Sequence, residues 1–152
     1  MNIMRSHILS VLAAATIALP AHAQQSSAAL RHEVEALMTA MVIALKTDPA
    51  SVARFYTDDA SILGGGERYV GREQIDQYWR GATMVADWKL EVLEVGGDGP
   101  TPWMRGRSTL LGKSGRTMVT EFVGLLKRQP DGLKFYVDMF VMAEPMRRAP
   151  RG

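Results

Sequence analysis

Three carboxylates, one guanidinium and two large aromatic side chains carry most of the chemistry in this sequence. Asp59, Glu121 and Asp138 are acids able to move a proton when an apolar site shields them. Arg107 and Tyr56 can steady a developing negative charge, and Tyr56 and Trp79 offer ring area to a flat ligand. Arg105 and Arg107 stand two residues apart and share one face of an extended segment, with Glu121 across the hairpin that follows. A carboxylate inside Val119-Thr120-Glu121-Phe122-Val123 is costly to bury unless a donor such as Arg107 meets it. The two are therefore either an outward cross-strand ion pair or a polar handle in a pocket. Asp58 and Asp59 are adjacent, a placement that suits hydrogen bonding in a turn better than a two-metal site.

Residue types exclude several other chemistries. The chain has no cysteine, hence no disulfide framework and no thiolate nucleophile. After residue 23, His32 is the only histidine, so neither a histidine cluster nor a Ser-His-Asp triad can form within one chain. His32-Glu33 begins like a zinc-protease helix, but Ala36 stands where the second histidine belongs. Gly112-Lys113-Ser114 resembles the end of a phosphate loop, yet Arg107 replaces its first glycine. No metal and no cofactor are expected. A formal net charge of +2 gives no nucleic-acid footprint.

The elements that must position these residues fall into two halves. Leu30, Val34, Leu37, Met38, Met41 and Leu45 recur at helical spacing, predicting an amphipathic helix from Ala29 to Lys46 after a polar lead-in, Gln24 to Ala28. Asp48 caps and Pro49 opens a second, short helix reaching about Tyr56. A brief strand, Ala60 to Leu63, turns back at Gly64-Gly65-Gly66, and a third helix is predicted over Arg72 to Arg80. Beyond Gly81 the period becomes two. Strands are predicted near Val85–Val95, Trp103–Leu111, Thr117–Lys127 and Lys134–Met142, joined by short glycine- and proline-rich links that make antiparallel neighbours. Val123 and Leu125 leave the second face of the third long strand apolar, which predicts a homodimer through the outer sheet face.

Residues 1–23 are laid out as a secretory signal peptide. Arg5 precedes the apolar run Ile8 to Leu19, and Ala21-His22-Ala23 forms a small-x-small cleavage site before Gln24. The run is too short for stable membrane insertion. The expected product is periplasmic or secreted: one domain over 24–145, followed by a basic tail, 146–152, with Arg147, Arg148 and Arg151. An apolar share of 47% against 22% charged is that of a folded domain.

The block Asp48-Pro49-Ala50-Ser51-Val52-Ala53-Arg54-Phe55-Tyr56-Thr57-Asp58-Asp59-Ala60-Ser61-Ile62, then Gly71-Arg72-Glu73-Gln74-Ile75, resembles the helix, turn, strand and helix signature of the SnoaL-like, ketosteroid-isomerase-like superfamily. The ending Lys127 to Val141, with Phe135-Tyr136-Val137-Asp138-Met139-Phe140, is similar to its last hairpin. The resemblance implies an α+β fold in which a curved antiparallel sheet wraps around N-terminal helices as a cone-shaped α+β barrel with an apolar cavity. In the isomerases an aspartate takes the proton, while a tyrosine and a protonated aspartic acid stabilise the enolate. Here Ala40, Gly64 and a position near Gly124 fall at those three places and supply none of the groups. Tyr56 matches a supporting tyrosine, and Trp79 stands at another's place.

The expected function is binding of a small apolar or aromatic molecule, with Tyr56, Trp79, Arg107 and Glu121 as ligand-binding residues. One alternative is an isomerase, cyclase or dehydratase that uses Asp59, Glu121 or Asp138 as proton shuttle. A second alternative is a structural dimerisation domain in which the cavity plays no part.

Overall fold

The computed structural model describes residues 21–97 and 99–143. Met1 to Pro20 of the expected leader and the whole expected tail, 146–152, lie outside these residues. Helix α1 spans Ala21–Thr47 and buries the predicted stripe, from Leu30 to Leu45, against the sheet. The expected lead-in Gln24–Ala28 is helical; its alanine and glutamine favour helix without needing an apolar face. Asp48 then caps a 3-10 helix, Pro49–Phe55, by accepting from the Ala50 amide at 3.1 Å.

Strand β1 (Tyr56–Gly64) and the four-residue β2 (Glu67–Val70) form a hairpin around Gly65 and Gly66, whose φ angles of 61° and 84° favour glycine. Helix α2 (Gly71–Arg80) leads through a single 3-10 turn into β3 (Val85–Gly96). Hairpins then join β4 (Trp103–Gly112), β5 (Thr117–Gln129) and β6 (Gly132–Met142), each antiparallel to its predecessor. Arg31 of α1 donates to the carbonyls of Val92 and Leu93, at an irregularity in β3, and so ties the long helix to that edge.

The sheet order β2-β1-β6-β5-β4-β3 corrects the expected cone-shaped, all-antiparallel barrel. β2 and β3 are separate edges, so the sheet stays open instead of curling round to close, and β1 runs parallel to β6. Closure would require those edges to meet, but β2 is short and α2 follows it at once, leaving little ladder to extend. The α+β class and the helix-first order are as expected.

One register shift decides what faces inward. Leu125 pairs with Val137 but Leu126 pairs with Phe135, which makes Tyr136 an extra residue in β6. Before it, Leu133 and Phe135 are buried; after it, Asp138 and Phe140 line the interior, and Met139 and Val141 face out at 50% and 63% exposure. The outer face also carries Val123 at 43% and Leu125 at 38%.

Gly124, opposite Asp138, lets a ring lie against the strand: a Cβ there would stand 2.4 Å from Phe135 Cε1. Gly124→Ala should therefore lower unfolding stability by about 1–3 kcal/mol, read from the midpoint of a urea transition.

Candidate functional site

Beneath α1 and α2 the sheet leaves a half-open cavity of about 280 Å³. Tyr56 reaches it because the 3-10 helix ends where β1 begins, and Arg72 at the start of α2 fixes that junction. Its guanidinium donates to the carbonyls of Ala53 and Tyr56 and to Asp58 Oδ1, the last two at 2.9 Å. The same helix carries Trp79 one side-chain layer further in, so a single arginine sets α2 against the strand that supplies Tyr56.

The walls are largely aromatic. Tyr56 stacks on Phe135 with centroids 5.3 Å apart and lies 6.2 Å from Trp79. Trp79 in turn meets Tyr78 at 5.2 Å and Trp88 at 5.3 Å. Trp88 Nε1 donates to Ser108 Oγ at 2.9 Å, which satisfies a buried indole. Trp79 Nε1 is buried with no hydrogen-bond partner among the described residues; it lies near Tyr56 but outside hydrogen-bond geometry.

The polar centre is a dyad. Tyr56 Oη donates to Asp138 Oδ2 at 2.8 Å, between residues far apart in sequence. Asp138 keeps some exposed surface toward the cavity, yet its carboxyl loses enough hydration that its pKa rises to about 6, with the Tyr56 hydrogen bond opposing the rise. Burial, then the neighbouring Asp138 charge, hold the Tyr56 hydroxyl well above its ordinary pKa. Burial and Asp138 push Tyr78 to about 12. Both phenols are therefore neutral donors at any physiological pH.

The structure brings together Tyr56, Trp79 and Asp138 and places the other expected site residues elsewhere. Arg107 and Glu121 do meet, at 2.9 Å, but on the outer face of the sheet, where Arg105 extends the ladder to Glu94 at 2.8 Å. Glu121 points outward because its neighbours Thr120 and Phe122 take the cavity side. Asp59 is exposed and pairs with Lys127 at 2.8 Å, which lowers its pKa. The sequence reading gave no place in the cavity to Tyr78, Ser108, Thr120 or Phe140; period-two alternation on β4 and β5 signals Ser108 and Thr120. Gly64 and Gly124 lie under the rings of Phe140 and Phe135.

A SnoaL-like domain model matches residues 34–135. Among solved structures, a ketosteroid isomerase-like protein from Erwinia carotovora atroseptica is 22% identical with a TM-score of 0.57, over 72% of this chain and 96% of that one. An NTF-2 like protein of unknown function from Shewanella oneidensis has a TM-score of 0.66 at 13% identity, over 74% and 98% of the two chains. An NTF2-like protein from Novosphingobium aromaticivorans has a TM-score of 0.63 at 16% identity, over 81% and 88%. No curated protein matches by sequence. At these identities the structural likeness establishes the fold alone.

The raised pKa makes stability depend on pH with a definite sign. Between the unfolded value of 3.8 and the folded value of about 6 the native state binds more protons, so stability falls as pH rises through that window and the deficit then stays constant. Asp138→Asn keeps an acceptor for Tyr56 and removes the buried charge. The variant should gain up to about 3 kcal/mol at pH 8 and little at pH 4, measured by urea unfolding at both.

Proposed function

The chain belongs to the SnoaL-like family, and from that premise we propose that it is an exported protein binding a small apolar or aromatic molecule between the helices and the sheet. The observation that carries this reading is the aromatic-walled cavity with one polar dyad, Tyr56 and Asp138, set into it. Its size suits one or two fused rings, with the mutually tilted Trp79 and Trp88 rings as one wall. The ligand-binding residues are then Tyr56, Trp79 and Asp138; Arg107 and Glu121 serve the outer face.

Export rests on the leader layout of residues 1–23, with the mature domain over 24–145. Cleavage after Ala23 would trim three residues from the start of α1 and leave the buried stripe intact. Among the described residues no helix is long and apolar enough to cross a membrane.

Proton transfer is favoured as a second reading by one observation. Asp138, with a pKa of about 6, is ionised at neutral pH yet basic enough to take a proton, and Tyr56 holds it in place. An isomerase, cyclase or dehydratase would use Asp138 for that step, without Asp59 or Glu121.

The outer sheet face fits a second copy of this chain. Val123, Leu125, Met139 and Val141 form an apolar centre beside the Glu94–Arg105–Glu121–Arg107 ladder, whose alternating signs can pair across a two-fold axis. Val123→Asp should halve the sedimenting mass if that homodimer forms; a wild-type monomer at micromolar concentration would remove it. Native mass spectrometry of protein purified from its own cell envelope should find an added small mass that Ala82→Trp, at the cavity wall, abolishes. A wild-type chain that carries no ligand and takes up none from a small aromatic library would contradict the binding reading.

A further inference from the structure

The cavity contains an acid and no base. Among the described residues that line it, Asp138 is the only charged side chain; no lysine, arginine or histidine contributes. Tyr56 occupies Oδ2, and no described donor reaches Oδ1. The carboxylate therefore stands in an apolar enclosure with one oxygen toward the open volume and no protein counter-ion. Around it, Tyr78, Trp79, Trp88, Phe135 and Phe140 supply rings, whose electron-rich faces attract positive charge.

We propose that the cavity selects a small ring-bearing organic cation, an ammonium seated against Asp138 Oδ1 with its ring against the wall that Trp79 and Trp88 form. The inference rests on the binding reading above and narrows it to a ligand class. A buried carboxylate without a counter-ion is costly, and the ligand supplies the missing charge. A neutral ring of the same size leaves that charge uncompensated and strips further water from it.

The two ligand classes consequently have opposite pH profiles. A cation favours the ionised carboxylate and binds more tightly as pH rises through about 6; a neutral ring favours the protonated acid and weakens. Tyr56 on β1 and Tyr78 on α2 are the titratable groups facing Asp138, and both stay protonated across this range. The other lining elements bring only uncharged groups: Met38 and Met41 from α1, Trp88 and Leu90 from β3, Ser108 from β4 and Thr120 from β5. One proton on Asp138 thus sets the profile.

Benzyltrimethylammonium, whose charge does not titrate, and benzyl alcohol, its neutral counterpart, are the probes, compared by calorimetric titration into the whole protein at constant salt. The cation should bind about tenfold more tightly at pH 7 than at pH 5, as the ionised fraction of Asp138 dictates. Asp138→Asn should remove that gain and flatten the alcohol's pH profile, its affinity at pH 7 rising toward the wild-type value at pH 5. Alcohol binding with no pH-dependent preference for the cation, or an unchanged cation affinity in Asp138→Asn, overturns the charge selection and leaves the cavity reading standing. Binding of neither probe to folded protein overturns both.

Discussion

An acid kept inside an apolar enclosure is expensive, and the arrangement of the inner face follows from how that expense is limited. Asp138 faces inward because β6 carries one residue too many at Tyr136, which exchanges the two faces of the strand beyond it. Tyr56 then meets one carboxylate oxygen from a strand far away in sequence. That hydrogen bond joins β1 to β6, the parallel pair beside the β2 edge of the open sheet, and it fixes the polar point around which the aromatic side chains gather.

The aromatic walls depend on what lies beneath them and on how the helices are held. Phe135 and Phe140 lie against strand positions occupied by glycine, where any Cβ would collide with the ring. Arg72 ties α2, which carries Trp79, to the Ala53 and Tyr56 carbonyls at the start of β1. Gly64 and Gly124 thus have a packing role here. The polar group of this cavity is Asp138, on the last strand.

Much of this architecture was legible in sequence because the determinants were local. The Asp48-Pro49 cap, the helical stripe of α1 and the glycine-rich links each act within a few residues, and each element formed where its chemistry requires. The parallel pairing of β1 with β6 depends on contacts far apart along the chain and left no local mark. Asp138 was singled out by its residue type, and the inward turn that brings it to the cavity also left no local mark. Leu133, Phe135, Val137, Met139 and Val141 are apolar at every second place, so a regular strand would turn Asp138 to the face opposite Phe135 and out to solvent; the extra residue at Tyr136 is silent in that pattern. Arg107 and Glu121 pair as register allows, but both faces of β5 are rich in apolar residues, and the pattern did not reveal which one they share.

The Tyr56–Asp138 dyad in its apolar surroundings is the central claim, and the carboxyl carbon resonance of Asp138 tests it most directly. Followed by NMR across pH 3 to 9, that resonance should titrate with a midpoint near 6 and shift again when a small molecule occupies the cavity. A midpoint near the ordinary aspartate value, with no response to ligand, would mean that the carboxyl is hydrated and that the enclosure described here does not exist in solution.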